Sequence, residues 1–232
     1  MVETSTGLIL RTRPLTETSL IVHWLTPDLG RLATVAKGAR RPKSPFRGKL
    51  DLFYQADFSF SRSRRSELHT LREVSLCATH PALRQELGYL RQAAYAAGLV
   101  ELATETETPL GSVFALMCGL LAQLPRRPPE PQTLFAFEIK LLAELGLQPD
   151  LDRSPLTAGS REILRRLGTA DWPGLSQLRL SVAQTAELAP FLHGFLVFHL
   201  GRIARGREAA LRMSVDSSPP PLSPLAPGIS FR

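Results

Sequence analysis

Cysteine is scarce: Cys77 and Cys118 are the two in 232 residues. Two thiols exclude a disulfide framework and cannot alone close a four-ligand structural zinc site. Aromatic residues make up 7% of the chain. Apolar runs are short. The longest, 93–103 and 190–200, are interrupted by Glu101 and by His193 and His199, well below the ~20 residues that span a bilayer. The opening, Met1 to Thr4, has neither a basic nor an apolar leader pattern, so no secretory signal is expected. These absences predict a soluble protein of a reducing compartment with no membrane partner.

Catalytic constellations are missing as well. The five histidines form no His-x-x-x-His pair. His193 and His199, six apart on one helix, point away from each other and read as packing in a buried helix. Gly48-Lys49 resembles the end of a phosphate loop, but Leu50 replaces the required hydroxyl and Lys43 stands where the first glycine belongs. There is no nucleophile elbow and no dinucleotide fingerprint. Asp150 and Asp152, on a proline-flanked loop, read as turn or cap residues. Cys118 lies in an apolar run and reads as a small hydrophobe. An enzyme is therefore not expected, and no cofactor or metal is called for.

What is present is positive charge, unevenly placed. The 28 Lys+Arg against 21 Asp+Glu give +7. Residues 1–80 hold 13 and 7 of these, and residues 81–232 hold 15 and 14. The excess is thus concentrated in the first third. There Lys37, Arg40, Arg41, Lys43, Arg47 and Lys49 occur with no intervening acid, and Arg62, Arg64 and Arg65 form a second cluster. Such asymmetry points toward a polyanion, with a solvated basic loop as the plain alternative.

Along the chain, periodicity divides an α+β architecture in two. Segments 6–13, 19–26, 31–37, 50–61 and 68–77 read as strands, with a turn at Pro27-Asp28-Leu29-Gly30. In 50–61, Leu52, Tyr54, Ala56, Phe58 and Phe60 share one face. Five short strands in about 80 residues predict a small closed barrel of the OB-fold type. From residue 81 the period becomes helical. Stripes run from Leu83 to Ala97, from Val113 to Leu124, and from Leu134 to Leu145 with Pro131 and Gly146 as boundary residues. A short helix over 161–167 is stopped by Gly168. A long apolar helix over 186–213 is expected at the centre of a helical bundle. The expected domains are a barrel at 1–80, a helical domain at 81–213 and a proline-rich tail at 214–232 that cannot build regular structure.

Binding a single strand requires cations along the phosphates and flat faces for the bases. Candidate cations are Arg11, Arg13, Lys37, Arg40, Arg41, Lys43, Arg47, Lys49, Arg62, Arg64 and Arg65, with Arg31 able to widen the track. Phe46, between Pro45 and Arg47, is the candidate exposed ring. Phe58 and Phe60 read as barrel core, and the side taken by Phe53 is open. At the end of the last helix, Arg202, Arg205, Arg207 and Arg212 are candidates for an acidic peptide, or simply complement the helix dipole. Phosphate contacts do not distinguish DNA from RNA, so an RNA- or ribosome-associated OB-fold module stands as the alternative.

Several ordered stretches resemble one family. They are Gly7 to Arg13, Thr16-Glu17-Thr18-Ser19, Leu29-Gly30-Arg31 and, above all, Ala36-Lys37-Gly38-Ala39-Arg40-Arg41-Pro42-Lys43-Ser44. With Phe135 to Leu147, Pro149 to Asp152 and Phe195 to Ser214, they resemble the bacterial RecO family of DNA repair proteins. The resemblance is dense over residues 6–50 and thin over 80–130. It implies an N-terminal OB-fold, a helical C-terminal domain and a cytoplasmic, nucleoid-associated protein. The implied activity is recombination mediation: binding single-stranded DNA, annealing complementary strands, working with RecR and contacting the acidic tail of the single-strand-binding protein. RecA loading follows indirectly, and binding of double-stranded DNA is left open. Many members carry two Cys-x-x-Cys pairs after the helix that ends in Leu-Gly. Here Ser154 and Thr157 stand in place of the first pair and the second has no counterpart, so a zinc-less insertion near 150–160 is expected.

Overall fold

The computed structural model describes residues 2–212. The expected tail at 214–232 and the end of the last expected helix, Met213, lie outside the described residues.

Five strands form first: β1 (Val2–Pro14), β2 (Leu20–Thr26), β3 (Gly30–Ala36), β4 (Gln55–Ser61) and β5 (Leu68–Ala78). They close into a barrel in the order β1-β2-β3-β5-β4. The β3–β5 contact is parallel and the other pairings are antiparallel. This is the OB-type barrel. Gly30, at φ 69°, makes the turn into β3, and a Cβ there would run into the Thr108 backbone. Side-chain alternation sorts β1 into two faces. Ile9 faces the barrel interior with Trp24, Phe58 and Phe60, whereas Leu8 and Leu10 pack outward with Leu25 and Phe53 against the helices. Burying each of those four outer side chains is worth about 2 kcal/mol. Barrel and helical region therefore share one apolar core.

Among the described residues six α-helices follow: α1 (Leu87–Ala103), α2 (Gly111–Gln123), α3 (Pro131–Glu144), α4 (Ala158–Thr169), α5 (Val182–Leu200) and α6 (Arg207–Leu211). The central one is α3, which touches α1, α2, α4, α5 and α6 and buries ten of its residues, Gln132 and Glu138 among them.

Four expectations about elements are corrected. The fourth strand starts at Gln55 and not at residue 50, because Phe53 takes a left-handed backbone (φ 64°) that turns its ring into the barrel–helix core. The long helix over 186–213 ends at Leu200. Gly201 caps it at φ 73°, and Gly206 at φ 88° precedes the separate α6. Nor is α5 central, since it buries a single row, Leu188, Leu192 and Leu196, and leaves His193 and His199 exposed. Finally, α4 runs through Gly168 to Thr169, where the glycine has ordinary space beside Ile139.

The segment before α4 is held by hydroxyls and caps. Asp150 accepts from the Asp152 and Arg153 amides. Ser154 Oγ donates to the Leu151 carbonyl, and Thr157 Oγ1 donates to Glu187. Those hydroxyls have partners and lack thiolate chemistry, so they do not fit a structural zinc ion. Among the described residues, no three His, Cys, Asp or Glu side chains gather as a metal site.

Candidate nucleic-acid interface

The connection between β3 and β4 carries the basic cluster. It is a chain of tight turns. Ala39 N donates to Ala36 O, Arg41 N to Gly38 O, Ser44 N to Arg41 O, Arg47 N to Ser44 O and Lys49 N to Phe46 O. Gly38 and Gly48, both at positive φ, permit the reversals. Phe46 is the anchor. Its ring is 7% exposed and joins the barrel core with Ile9, Trp24 and Phe58. The expectation of an exposed stacking ring at Phe46 is therefore corrected. Neighbouring polar residues do not decide burial when the barrel interior offers the ring an apolar seat.

With the ring inside, the cations point outward. Lys37, Arg40, Arg41, Lys43 and Arg47 are exposed and Lys49 is half-buried. Their hydrogen bonds go to neutral carbonyls: Arg40 to Thr16 (3.3 Å), Arg47 to Pro42 (3.3 Å) and Lys49 to Val74 (3.1 Å). Among the described residues, none of the six pairs with a carboxylate. Arg40, Arg41 and Arg47 line one hollow of about 370 Å³. The loop is thus an ordered cationic surface.

The other candidate cations divide. Arg11 pairs with Glu101 at 3.2 Å. Arg62 is held by Glu3 (2.8 Å) and Glu107 (3.0 Å). Its hydrogen bond to Glu3 raises the guanidinium's proton affinity and lowers that of the carboxyl. Arg11 and Arg62 are therefore largely neutralised, a correction to their reading as candidate cations. Glu107 also accepts from His69 at 2.9 Å, so this cluster ties the barrel to the corner between α1 and α2. Arg31 is spent on the same corner through Thr104. Arg64 and Arg65 are exposed but line a separate hollow with Glu67 and Glu107. Arg13 is exposed, and no ion pair involves it among the described residues.

Among the described residues, the basic surface presents no exposed ring. Phe53, Phe58 and Phe60 are buried, Phe58 stacking on Trp24 with centroids 4.1 Å apart. Tyr54 is covered by the Arg84 guanidinium at 5.3 Å. The exposed aromatic ring that sequence reasoning missed is Phe198 on α5, 82% accessible. Its signal was its place outside the Leu188–Leu192–Leu196 row. At the C-terminal end, Arg202, Arg205 and Arg212 are exposed, but Arg207 is buried in a two-point pair with Glu138 and cannot meet a peptide.

Sequence profiles settle the relationship. Residues 1–80 match Recombination protein O N terminal, and residues 84–156 match Recombination protein O C terminal. The chain belongs to the RecO family. Its similarity to DNA repair protein RecO of Anaeromyxobacter sp. (strain K) is 34% identity over 237 residues, covering 88% of this chain and 93% of that one. With the Rhodopirellula baltica protein of the same name it is 30% over 206 residues, 79% and 76% respectively. Against that of Bacillus subtilis (strain 168) it is 31% over 146 residues. This RecO chain has no helix among the described residues that is long and apolar enough to cross a membrane.

His23 gives the site a pH signature. Burial, then the charges of Arg11, Arg13 and Arg31, push its imidazole from 6.5 down to about 4. The unfolded chain takes up this proton near pH 6.5 and the folded chain only near 4. Stability is therefore full above pH 6.5 and falls as pH drops toward 4. Discounted for partial solvent screening, the loss attributable to His23 is about 2 kcal/mol. Thermal unfolding across that window should show a smaller decline for His23→Gln than for the unaltered protein.

Proposed function

We propose that this protein is a non-enzymatic mediator of DNA recombination and repair that binds single-stranded DNA on the β3–β4 loop and anneals complementary strands. The observation that carries this reading is the set of six cations over residues 37–49, held on an ordered scaffold and none of them paired with a carboxylate among the described residues. Membership of the RecO family supports it. Two phosphate backbones repel each other, and a cationic surface that screens both lowers the barrier to pairing. Without stacking rings on the loop, binding there is driven by phosphate and is tolerant of sequence.

The proposed partners are single-stranded DNA, RecR and the acidic tail of the single-strand-binding protein, with RecA loading as the consequence, in the bacterial cytoplasm at the nucleoid. Exposed Arg202, Arg205 and Arg212 are the proposed receivers of the acidic tail. An acidic-apolar peptide should give a saturable titration that is lost on Arg202→Glu.

Binding of oligo-dT over a salt series tests the main reading. Six phosphate contacts predict a log–log slope of about −4 for a single strand. A slope near zero sinks the loop as the site. Competition by poly-U as strong as that by poly-dT would favour the RNA-binding alternative, and competition by duplex would extend the site to double-stranded DNA.

A further inference from the structure

A crevice of about 470 Å³ lies between β1–β2–β3 and the end of α1. Leu10, Ile21, Trp24 and Leu32 give it an apolar floor. Its walls hold two buried polar atoms with no hydrogen-bond partner among the described residues, His23 Nε2 and Glu101 Oε1. Arg11 lies 3.2 Å from that glutamate oxygen as an ion pair not aligned for hydrogen bonding, and Nδ1 of the neutral His23 ring lies 3.9 Å from it. Native structures rarely leave such atoms unmet, and an apolar cavity with convergent polar groups is the usual form of a ligand site.

The charges facing the crevice narrow the ligand. Arg31 is engaged with Thr104, and Glu107 with His69 and Arg62. Arg11 and Glu101 offset each other as an ion pair, Glu67 remains, and exposed Arg13 remains to receive a phosphate. A purely apolar ligand leaves both orphan atoms unmet. A nucleobase meets every condition: a flat apolar body, a hydrogen-bonding edge and an attached phosphate. Among the bases, guanine alone presents two adjacent N–H donors beside an acceptor. Its N1–H and N2–H match a carboxylate, and its O6 matches an imidazole N–H. Thymine offers a single N–H between two carbonyls, so the carboxylate would meet one donor and one carbonyl oxygen. Both orphan atoms are closed to water in the free protein. Arg11 is half exposed beside Glu101, so its transfer to a phosphate would uncover that carboxylate oxygen.

We propose that this crevice holds one unstacked base of a bound single strand, guanine by preference, with its edge on Glu101 and His23 and its phosphate on Arg13. This deepens the single-strand reading and rests on it. The loop supplies affinity without regard to sequence, and the crevice adds one position where sequence is read.

The test uses the full chain and compares oligo-dT with the same strand carrying one central guanine, by fluorescence anisotropy at moderate salt. The guanine strand should bind about fivefold tighter or better, the discrimination of one good two-point base contact. Hypoxanthine, which lacks the 2-amino donor, should recover less of the gain. His23→Ala should erase the preference while leaving oligo-dT affinity unchanged, and Glu101→Gln should erase it while the freed Arg11 raises affinity for both strands alike, with thermal melts confirming that both variants fold. Equal binding of the two strands, by protein that does bind oligo-dT, overturns the crevice and leaves the loop reading intact. If neither strand binds, the loop reading fails. Titration with dGMP and dTMP, followed on the His23 ring resonances, then decides the crevice: shifts specific to dGMP support it, and unmoved resonances dispose of it.

Discussion

Glu138→Ala is expected to destabilise the protein by about 4 kcal/mol, the usual cost of breaking a buried ion pair by removing one member. Glu138 is fully buried on α3, and Arg207 opens α6 with 6% exposure. The guanidinium donates to both carboxylate oxygens, at 2.6 and 2.9 Å, and to the Ala189 carbonyl of α5 at 3.0 Å. Tyr95 of α1 donates its hydroxyl to the same carboxylate at 2.6 Å. Burial works against charge on Arg207, but the Glu138 carboxylate outweighs it and strengthens the guanidinium's hold on its proton. Four helices thus converge on one pair. Removing the carboxylate leaves a guanidinium stranded among apolar helices with one carbonyl to hold it. Replacing both residues by Leu and Met removes the two charges together and should restore most of the loss, because the desolvation cost disappears with them. Urea unfolding of the two single variants and the double variant checks this. If the double variant loses as much as the two singles summed, the pair is not the unit described.

The same triad shows where sequence reasoning reached its limit. Glu138 and Arg207 are 69 residues apart, and nothing local marks either as buried. An arginine at the basic end of the expected 186–213 helix reads as surface charge, so Arg207 groups with Arg202, Arg205 and Arg212. The barrel was legible because alternation, Pro-Asp-Leu-Gly and the spacing of short runs are local signals. Its fourth strand was misjudged at one point, where Phe53 adopts a backbone conformation usually taken by glycine. The break at Gly201 carried a local signal, but the apolar run before it looked continuous with what followed. Central burial was misassigned for a related reason. Helix α5 is apolar on most sides yet buries one row, while α3, with Glu138 and Lys140 within it, is the helix the others surround. Charge placement was legible as a density and not as a surface. The partners that neutralise Arg11 and Arg62 come from α1, from the corner before α2 and from the far end of β1. Over residues 37–49 the density is also a surface, because that stretch contains no acid and none of its cations pairs with a carboxylate among the described residues.

That distinction decides the second large effect. Changing Arg40, Arg41 and Lys43 together to Glu should weaken oligo-dT binding about 100-fold at 0.1 M salt, since three lost phosphate contacts remove about two units of log–log slope. The slope itself should fall from about −4 toward −2. All three side chains are exposed and none is in an ion pair among the described residues, so unfolding stability should stay within about 0.5 kcal/mol of the unaltered protein. Phe46 and Lys49 are left in place because the ring and the bond to Val74 hold the loop on the barrel. Arg62→Glu supplies the contrast. It breaks the link among Glu3, Glu107 and His69, so its cost should appear in the melting temperature with little change in the salt slope. Were the two variants to exchange these signatures, the strand would run over the β4–β5 turn, and the unpaired loop would be merely solvated charge.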